Sequence, residues 1–446
     1  MIETLHTLVA FVVAISLLIA VHEFGHFIVA RKLGIKVEKF SIGFGPALLS
    51  WHSRDREVKY VIAAIPLGGY VKMLGETPEE EEIPEAERHR AFDAQPVWKR
   101  ASVAVAGPGF NFIFAIFAYM VVGWVGQTVL PPVIGFISSG SPAAEAGLMR
   151  GDKLLTVDGD RVHSWQDVES QLKDDTGKEI RLGVRRQSQT LSIRLHLPET
   201  KRDPLLVNVA AKALGIGPGM DIIIDGVTAD SPASRSGLQA GDLIRKINGR
   251  PVHSIDGFIE MVRQHPEQSM DLTVERNDAL LNIHITPAKN EKGKGHIGAR
   301  MATRTMTAPV TYHMGLLEGV SYGFERTWET TSLTLQVLGK MVVASISPKN
   351  LGGPIAIAQI AGKTAELGIA AFVAFLALIS VNLGVLNLMP VPVLDGGHLL
   401  YLAIEKVRGA PLPVKVMERT QIVGMSLIAA LMIFAFYNDI VRLIKG

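Results

Sequence analysis

The sequence predicts a multi-pass α-helical membrane protein with four spans, which carries α+β modules between its second and third spans. Two observations support this fold class. Hydrophobic residues make up 48% of the 446 residues, and they concentrate in long runs near the two ends of the chain. The middle of the chain is more polar, and it contains an internal repeat.

The spans correspond to four apolar runs, each of which supplies most or all of the ~20 residues that cross a hydrocarbon core. The runs are Leu5–Ala20 with a continuation to Ala30, Ala101–Val125, Ile369–Met389 and Ile422–Phe436. We interpret the first run as a span and not as a cleaved signal peptide. No basic segment precedes it, and no small-residue cleavage site follows it.

Basic residues near the ends of the runs predict the orientation, because cytoplasmic loops carry an excess of lysine and arginine. The residues concerned are Arg31, Lys32, Lys36, Lys39, Lys99, Arg100, Lys406, Arg408, Lys415 and Arg419. The region between the second and third spans is therefore expected outside the cytoplasm, together with both termini. Arg442 and Lys445 at the C-terminus disagree mildly with this orientation. The acidic run Glu79–Glu82 is interpreted as a solvated loop.

Composition excludes several classes of function. The formal net charge is only +2 and no concentrated basic face is visible, which argues against a nucleic-acid partner. The chain contains no cysteine, so disulfides, zinc fingers and thiol catalysis are excluded.

The middle region contains two copies of one pattern, ninety positions apart. Each copy predicts a tight Gly-Asp turn, a strand, an Asx-Gly hairpin turn and an amphipathic helix. The first copy includes Ser141-Pro142-Ala143, Gly151-Asp152, Asp158-Gly159 and Val162-His163-Ser164, and the second includes Ser231-Pro232-Ala233, Gly241-Asp242, Asn248-Gly249 and Val252-His253-Ser254.

Both copies resemble the PDZ domains of bacterial proteases. The resemblance implies tandem PDZ domains at residues 128–217 and 218–303, which capture peptide C-termini by strand addition. In a circularly permuted arrangement the carboxylate-binding loops would be Leu214-Gly215-Ile216 and Ile297-Gly298. The alternative is a pair of β-rich modules without a ligand.

The first span contains His22-Glu23-Phe24-Gly25-His26, an HExxH motif. Positions i and i+4 share one face of a helix, so both imidazoles can reach one Zn²⁺ ion, and Glu23 is placed to act as general base. Ionisable groups inside a span are costly, at least ~2.5–3.5 kcal/mol each, and a metal compensates for that cost. The alternative is that the helix ends near Ala20 and leaves the motif in a wet loop.

A catalytic zinc ion needs a third protein ligand and an open position. The third apolar run is followed by Pro390, Pro392 and Asp395, and broken helix is tolerated at membrane depth only where it is buried or lines a cavity. Asp395 is the predicted third ligand, since two neutral histidines, one carboxylate and ionised Glu23 balance the metal charge. His398 is a competing candidate, for which a capping or packing role is the alternative.

These motifs together resemble the site-2 protease family. HExxH in the first span, Gly107-Pro108-Gly109-Phe110-Asn111 in the second and Leu394-Asp395-Gly396 in a late one form that family's pattern. Paired extracytoplasmic PDZ domains are similar to those of the proteobacterial branch that regulates sigma-E. The resemblance covers essentially the whole chain.

The resemblance implies intramembrane hydrolysis of single-span membrane proteins, such as a trimmed anti-sigma factor or remnant signal peptides. It implies zinc ligation by His22, His26 and Asp395, with Glu23 as general base. It places the protein in the bacterial inner membrane, with the PDZ domains and both termini in the periplasm. It suggests a membrane-reentrant β-hairpin within Val58–Met73 that holds the substrate, and the alternative for this segment is an ordinary cytoplasmic hairpin. The implied substrate-contacting residues are Asn387, Pro390, Pro392, Val61, Ile62, Ile65, Gly68, Gly69 and Val71.

The chain is thus expected to divide at residues 1–127, 128–217, 218–303, 304–366 and 367–446. The amphipathic segment Leu316–Val343 is expected to lie on the membrane surface or to pack on the PDZ pair, with Tyr322 and Trp328 suited to an interface. Competing functions are a non-catalytic PDZ receptor or scaffold with a structural metal, and, more remotely, a metal transporter.

Overall fold

The computed structural model describes residues 2–76, 83–174, 177–199, 209–252, 255–277, 279–290, 293–343 and 352–445. The acidic run at residues 79–82 and the His253-Ser254 part of the repeat lie outside them. Two compact units are present. The first combines Met1–Gln127 with His313–Gly446, and the second is Thr128–Tyr312.

The helices are α1 (Ile2–Lys32), α2 (Val97–Val125), α3 (Pro142–Glu145), α4 (Trp165–Asp174), α5 (Pro232–Arg235), α6 (Ile255–Gln264), α7 (Leu316–Val342), α8 (Pro354–Glu366), α9 (Ile369–Asn387), α10 (Asp395–Arg408) and α11 (Val414–Lys445). A short 3-10 helix lies at Arg88–Arg90 and a π-helical turn at Ala210–Leu214.

The strands are β1 (Val37–His52), β2 (Lys59–Met73), β3 (Gln127–Val129), β4 (Ile134–Ile137), β5 (Lys153–Val157), β6 (Asp160–Arg161), β7 (Glu179–Arg186), β8 (Gln189–His196), β9 (Ile216–Pro218), β10 (Met220–Val227), β11 (Leu243–Ile247), β12 (Arg250–Pro251), β13 (Met270–Arg276), β14 (Ala279–Ile285), β15 (Ala288–Lys289), β16 (Gly295–His296), β17 (Ala299–Thr305) and β18 (Val310–Tyr312).

Among the described residues, four helices are long and apolar enough to cross a membrane. They lie within α1, α2, α9 and α11, where the four apolar runs were predicted. Helix α1 continues without a break to Lys32, so His22 and His26 are helical. The alternative that the helix ends near Ala20 is therefore wrong.

Helix α2 is the centre of the helical unit, because α1, α7, α9 and α10 all pack against it. Ala115, Ala118 and Val122 of α2 are buried. The first two form a cluster with Ala377 and Val381 of α9. Small residues let helices approach closely where lipid offers no hydrophobic driving force. The bundle is therefore organised around α2.

Helix α7 packs against α2 and α9, a position that the sequence analysis did not specify when it left the membrane surface and the PDZ pair as alternatives. Thr334 Oγ1 donates a hydrogen bond to Asn382 Oδ1 of α9 at 2.8 Å. The indole Nε1 of Trp124 in α2 donates to the Leu316 carbonyl at 3.3 Å. Thr330 Oγ1 lies 3.4 Å from the Tyr119 hydroxyl of α2, so two hydroxyls of α7 contact neighbouring helices, which the apolar periodicity alone did not indicate.

Strands β1 and β2 form a small sheet in the helical unit. Residues 39–42 of β1 pair with residues 59–62 on one side and with residues 69–72 on the other. Residues 47–52 of β1 pair with residues 59–63 as well. The two halves of β2 are therefore separated by β1, which corrects the predicted local hairpin within Val58–Met73. The glycines and proline inside β2 indicate a local turn, whereas the pairing with β1 is long-range and has no local signal.

The second unit contains two similar modules, each with its own buried core. The first has the strand order β6-β5-β7-β8 with a separate pair β4-β9, and the second has the order β14-β13-β11-β10-β17 with β12 on β11. Ser141 caps α3 by accepting from the Ala144 N–H at 3.3 Å, and Ser231 caps α5 in the same way through Ser234 at 3.2 Å.

The repeat is also visible in one ion pair per module, between a buried aspartate and a partly exposed arginine. Arg186 Nη2 donates to Asp152 Oδ2 and to the Gly147 carbonyl, both at 2.8 Å. Arg276 makes the equivalent contacts with Asp242 and Gly237 at 2.7 and 2.8 Å. The hydrogen bond to the aspartate raises the pKa of each arginine. The sequence repeat is therefore a structural repeat.

Candidate metal centre

The two histidines of HExxH meet on one face of α1, as the i,i+4 spacing requires. Their Nε2 atoms lie 3.2 Å apart, and their ring centroids are 4.8 Å apart in an edge-to-face arrangement. Both side chains are mostly buried, with exposed fractions of 14% for His22 and 12% for His26. The pair offers two ring nitrogens to one point in space.

Asp395 completes this cluster from the other end of the chain. It is the first residue of α10, after a turn in which Val393 has φ +87°. A positive φ is an outlier for a β-branched residue, and such strain persists only where the surroundings enforce it. Asp395 Oδ2 lies 3.2 Å from His22 Nε2, and Oδ1 lies 3.5 Å from His26 Nε2.

The distances among these atoms fit a tetrahedral zinc site. Four ligands at about 2.0–2.2 Å from zinc lie roughly 3.3–3.6 Å from one another. The observed separations are 3.2, 3.2 and 3.5 Å. Asp395 Oδ2 is buried without a hydrogen-bond partner among the described residues, which is unfavourable for a carboxylate unless a cation binds it. The donor set therefore fits the metal that the motif implies.

Residues of helix α2 contact the Nδ1 atoms of both imidazoles. His26 Nδ1 lies 2.8 Å from the Val103 carbonyl, which fixes the tautomer that leaves Nε2 free for a metal. His22 Nδ1 lies 3.1 Å from Asn111 Nδ2. When Nε2 of His22 binds a metal, Nδ1 carries the proton and needs a hydrogen-bond acceptor. The Asn111 side-chain amide supplies one when it is rotated by 180°, because Oδ1 then faces Nδ1. The Val103 carbonyl and the Asn111 side chain therefore orient the two imidazoles.

Gly107 of α2 leaves room for the histidines. A Cβ at this position would lie 2.2 Å from His26 Nε2 and 2.8 Å from His22 Cε1. In the sequence, Gly107 and Asn111 are recognisable only as parts of a family pattern, without a role of their own. Val103 carries no signal in the sequence, since its contact is made by a backbone carbonyl and does not depend on residue type.

Glu23 lies beside the cluster and is not one of the three residues whose ligand atoms converge. Gly69 of strand β2 lies against α1 at Glu23. A Cβ on Gly69 would lie 2.9 Å from Glu23 Cγ and 2.8 Å from Ile19 Cγ2. Glycine at position 69 therefore lets the strand backbone approach the predicted general base.

The predicted substrate-contacting residues of β2 fall into two groups. Val61 and Ile62 have partners on both sides, Ser41 with Ser50 and Ile42 with Leu49, respectively. In the described register Gly69 pairs with Ile42 alone and Val71 with Phe40 alone, and Ile65 pairs with Phe44. Gly68 lies against the Phe44 ring. Only the second half of β2 is thus placed to accept an added strand, so Val61 and Ile62 do not offer a free edge.

Asn387, Pro390 and Pro392 lie in the connection that leads to Asp395. Asn387 is the last residue of α9, and the prolines lie between α9 and α10. The Pro392 carbonyl lies against Gly424 of α11, where a Cβ would be only 2.3 Å away. His398 lies one turn beyond Asp395 with its ring 6.3 Å from that of Tyr401. His398 is not among the described residues whose ligand atoms converge, so the structure does not favour it as a ligand.

The two predicted carboxylate loops occupy equivalent places in their modules. The Gly215 carbonyl accepts from the Ser138 N–H at 2.7 Å, and the Gly298 carbonyl accepts from the Thr228 N–H at 2.9 Å. Both glycines have left-handed backbone, with φ +73° and +72°. The structural repeat therefore includes the loops at Gly215 and Gly298.

Comparison with known proteins identifies the family of the chain. The model of peptidase family M50 matches residues 10–431. The "Regulator of sigma-E protease RseP" of Salmonella typhimurium is 43% identical over 460 residues, which cover 99% of this chain and 100% of that protein. The protein of the same name from Escherichia coli is 42% identical over 462 residues, with 99% and 100% covered.

Among solved structures, the PDZ domain of an SdrC-like protein from Listeria monocytogenes is 25% identical and covers 18% of this chain and 86% of that domain, at a TM-score of 0.17. The matches to the family and to the regulators of sigma-E extend over nearly the whole sequence, including the helices that carry HExxH and Asp395. The chain therefore belongs to peptidase family M50, as a metalloprotease that cleaves within the membrane.

Proposed function

We propose that His22, His26 and Asp395 bind one zinc ion and that Glu23 is the general base of peptide-bond hydrolysis. The convergence of three ligand atoms from α1 and α10, all within 4.8 Å of one another, is the observation that carries this proposal. A bound zinc ion supplies Lewis acidity towards the scissile carbonyl and lowers the pKa of water.

The remaining chemistry belongs to the side chains. Glu23 takes a proton from the attacking water and gives it to the leaving amine nitrogen, so that the carboxylate is regenerated in each cycle. Two neutral imidazoles and the Asp395 carboxylate leave a divalent cation with one positive charge, which ionised Glu23 neutralises. A neutral cluster is what a water-poor environment favours.

The substrate is proposed to bind as an extended strand along the second half of β2. Its carbonyls become accessible only when a transmembrane helix is unwound, and a free strand edge can hold the unwound segment through backbone hydrogen bonds. The contact of Gly69 with Glu23 would place such a strand next to the general base. Gly68, Gly69 and Val71, with Ile65 at the start, are the proposed contacts, and Asn387, Pro390 and Pro392 would shape the opposite side.

The proposed substrates are single-span membrane proteins. The named relatives are regulators of sigma-E, which supports an anti-sigma factor as one substrate, and remnant signal peptides are a second group. The proposed setting is the bacterial inner membrane, with four spans and with both termini and the middle region in the periplasm. Because the chain belongs to a peptidase family, we set aside the scaffold and transporter alternatives.

The middle region is proposed to be a tandem of PDZ domains at residues 128–217 and 218–303. The matching capping serines, ion pairs and glycine loops of the two modules support this assignment. Residues 304–366 would then connect the tandem to the last two spans in residues 367–446. We propose that the tandem regulates which substrates reach the site, by excluding bulky ectodomains or by binding a newly exposed C-terminus.

The test is cleavage of a single-span model peptide by the purified full-length protein. Cleavage should stop on zinc chelation and return on adding zinc. Glu23→Gln should remain inactive after the same addition. Cleavage that persists in thoroughly metal-free protein, or in Glu23→Gln, would refute the proposed mechanism.

A further inference from the structure

The three proposed ligands belong to two separate helices, α1 and α10. Both helices pack against α2. The separation between the histidines and Asp395 is therefore determined by how each helix is fixed to α2. Catalytic constellations tolerate errors of only ~0.5 Å, so any residue that fixes these two attachments is relevant to the site.

Arg100 of α2 fixes the far end of α10. Its guanidinium makes a two-point ion pair with Glu405, in which Nη1 donates to Oε2 at 3.1 Å and Nη2 donates to Oε1. Its Nε donates to the Gln95 carbonyl at 3.0 Å. The side chains of Arg100 and Glu405 are only 14% and 16% exposed. A forked pair of this kind fixes direction as well as distance.

Lys99, the preceding residue, fixes α1 in a related way. Its Nζ donates to the Leu33 carbonyl at 3.0 Å and to Gln95 Oε1 at 3.1 Å. Leu33 follows directly on α1, where helix carbonyls lack internal partners and the helix dipole favours a cation. Adjacent residues of α2 thus bind the ends of the two helices that carry the proposed ligands.

The geometry of α10 links this attachment to the site. Glu405 lies ten residues after Asp395 on one continuous helix, about 15 Å along its axis. Asp395 is held at one end by the turn after α9, and Glu405 is held at the other by Arg100. A helix held at both ends cannot tilt, whereas release of one end lets the carboxylate move relative to the imidazoles.

We infer that Arg100 and Glu405 are positioning residues that fix the Asp395 carboxylate relative to His22 and His26, which assigns Arg100 a role beyond membrane orientation. This inference rests on the proposed ligand set. A basic residue that serves only as an orientation signal needs no fixed partner and would remain accessible to lipid headgroups. Arg100 is instead largely buried in a forked ion pair.

The experiment measures zinc affinity of the purified full-length protein by competition with a chelator, together with the melting temperature of the metal-free form. Glu405→Gln and Arg100→Lys should weaken zinc binding about 2–30-fold, the range over which substitutions remote from a ligand change its binding. Arg100→Lys keeps the positive charge and loses the forked geometry. The metal-free melting temperature then reports how much of any loss of zinc affinity is a loss of stability. The exposed residue Lys406 supplies the control, and Lys406→Gln should bind zinc normally.

The double variant Arg100→Glu/Glu405→Arg, in which the charges are exchanged, should bind zinc more tightly than either single variant. The positioning role alone would be overturned if Glu405→Gln and Arg100→Lys bound zinc with wild-type affinity while Asp395→Ala bound zinc more weakly. A loss of equal size in Lys406→Gln would also overturn it. Wild-type affinity in Asp395→Ala would overturn the ligand set and with it the proposed function.

Discussion

Oδ2 of Asp395 lies 3.2 Å from Nε2 of His22, although the two residues come from opposite ends of the chain. His22 sits on the first long helix, and Asp395 begins a helix that follows the third candidate span. The cluster can therefore form only when the two ends of the sequence are assembled around α2. Substitutions on α2 should accordingly affect the metal site without touching a proposed ligand.

Gly107→Ala tests the space behind the histidines. The added methyl group would lie 2.2 Å from His26 Nε2, so the imidazole must move. We expect zinc affinity to fall at least about 10-fold, the lower end of the range for disturbed outer shells. Gly109→Ala is the matched control, because a Cβ there has no neighbour within 4 Å. Equal zinc affinities of the two variants would contradict the assigned role of Gly107.

Asn111→Leu tests the partner of His22. Leucine keeps a similar volume and removes the polar contact at 3.1 Å, so His22 loses the group that orients its ring. Zinc affinity should drop about 10–100-fold. Asn382→Leu, which removes a hydrogen bond to Thr334 elsewhere in the bundle, serves as the comparison. If Asn382→Leu weakens zinc binding as much as Asn111→Leu, the effect reflects bundle stability and not ring orientation.

Gly69→Ala tests the approach of β2 to the general base. The new methyl group would meet Glu23 Cγ at 2.9 Å and displace either the strand or the carboxylate. Turnover of a helical substrate should fall, with zinc content unchanged, since no proposed ligand is touched. Gly315→Ala, at a site with no neighbour within 4 Å, should leave turnover unaffected. Unchanged kcat and KM in Gly69→Ala would argue against this part of the strand model.

Replacing residues 128–312 by a flexible linker tests the role of the middle unit. This unit contains its own buried cores and none of the proposed catalytic residues. Cleavage of substrates with short ectodomains should persist, and substrates with bulky ectodomains should become cleavable. Loss of every zinc-dependent cleavage by a correctly inserted variant, or continued rejection of bulky substrates, would exclude the gating role.

The local features of the site could be predicted from the sequence. The i,i+4 histidines follow from helix periodicity, and Asp395 from a polar residue after a proline-broken span. The four apolar helices and the repeat follow likewise from composition and pattern. Each of these signals lies within a short stretch of chain, so neighbouring residues suffice to reveal it.

Features that depend on long-range packing could not be predicted. The contacts of Val103, Gly107 and Asn111 with the histidines depend on where α2 crosses α1. The position of β1 between the two halves of β2 depends on strand register, which turn residues alone did not specify. Helix α7 packs on α2 and α9 through hydroxyls and glycines, and its apolar face gave no indication of that partner.

The most direct test of the central claim compares zinc content and peptide cleavage in the wild type, Glu23→Gln and Asp395→Ala, all purified identically. The account predicts one zinc ion per chain in the wild type and in Glu23→Gln, with cleavage only in the wild type. It predicts loss of both zinc and cleavage in Asp395→Ala. Full zinc occupancy in Asp395→Ala, or cleavage by Glu23→Gln at the wild-type rate, would contradict it.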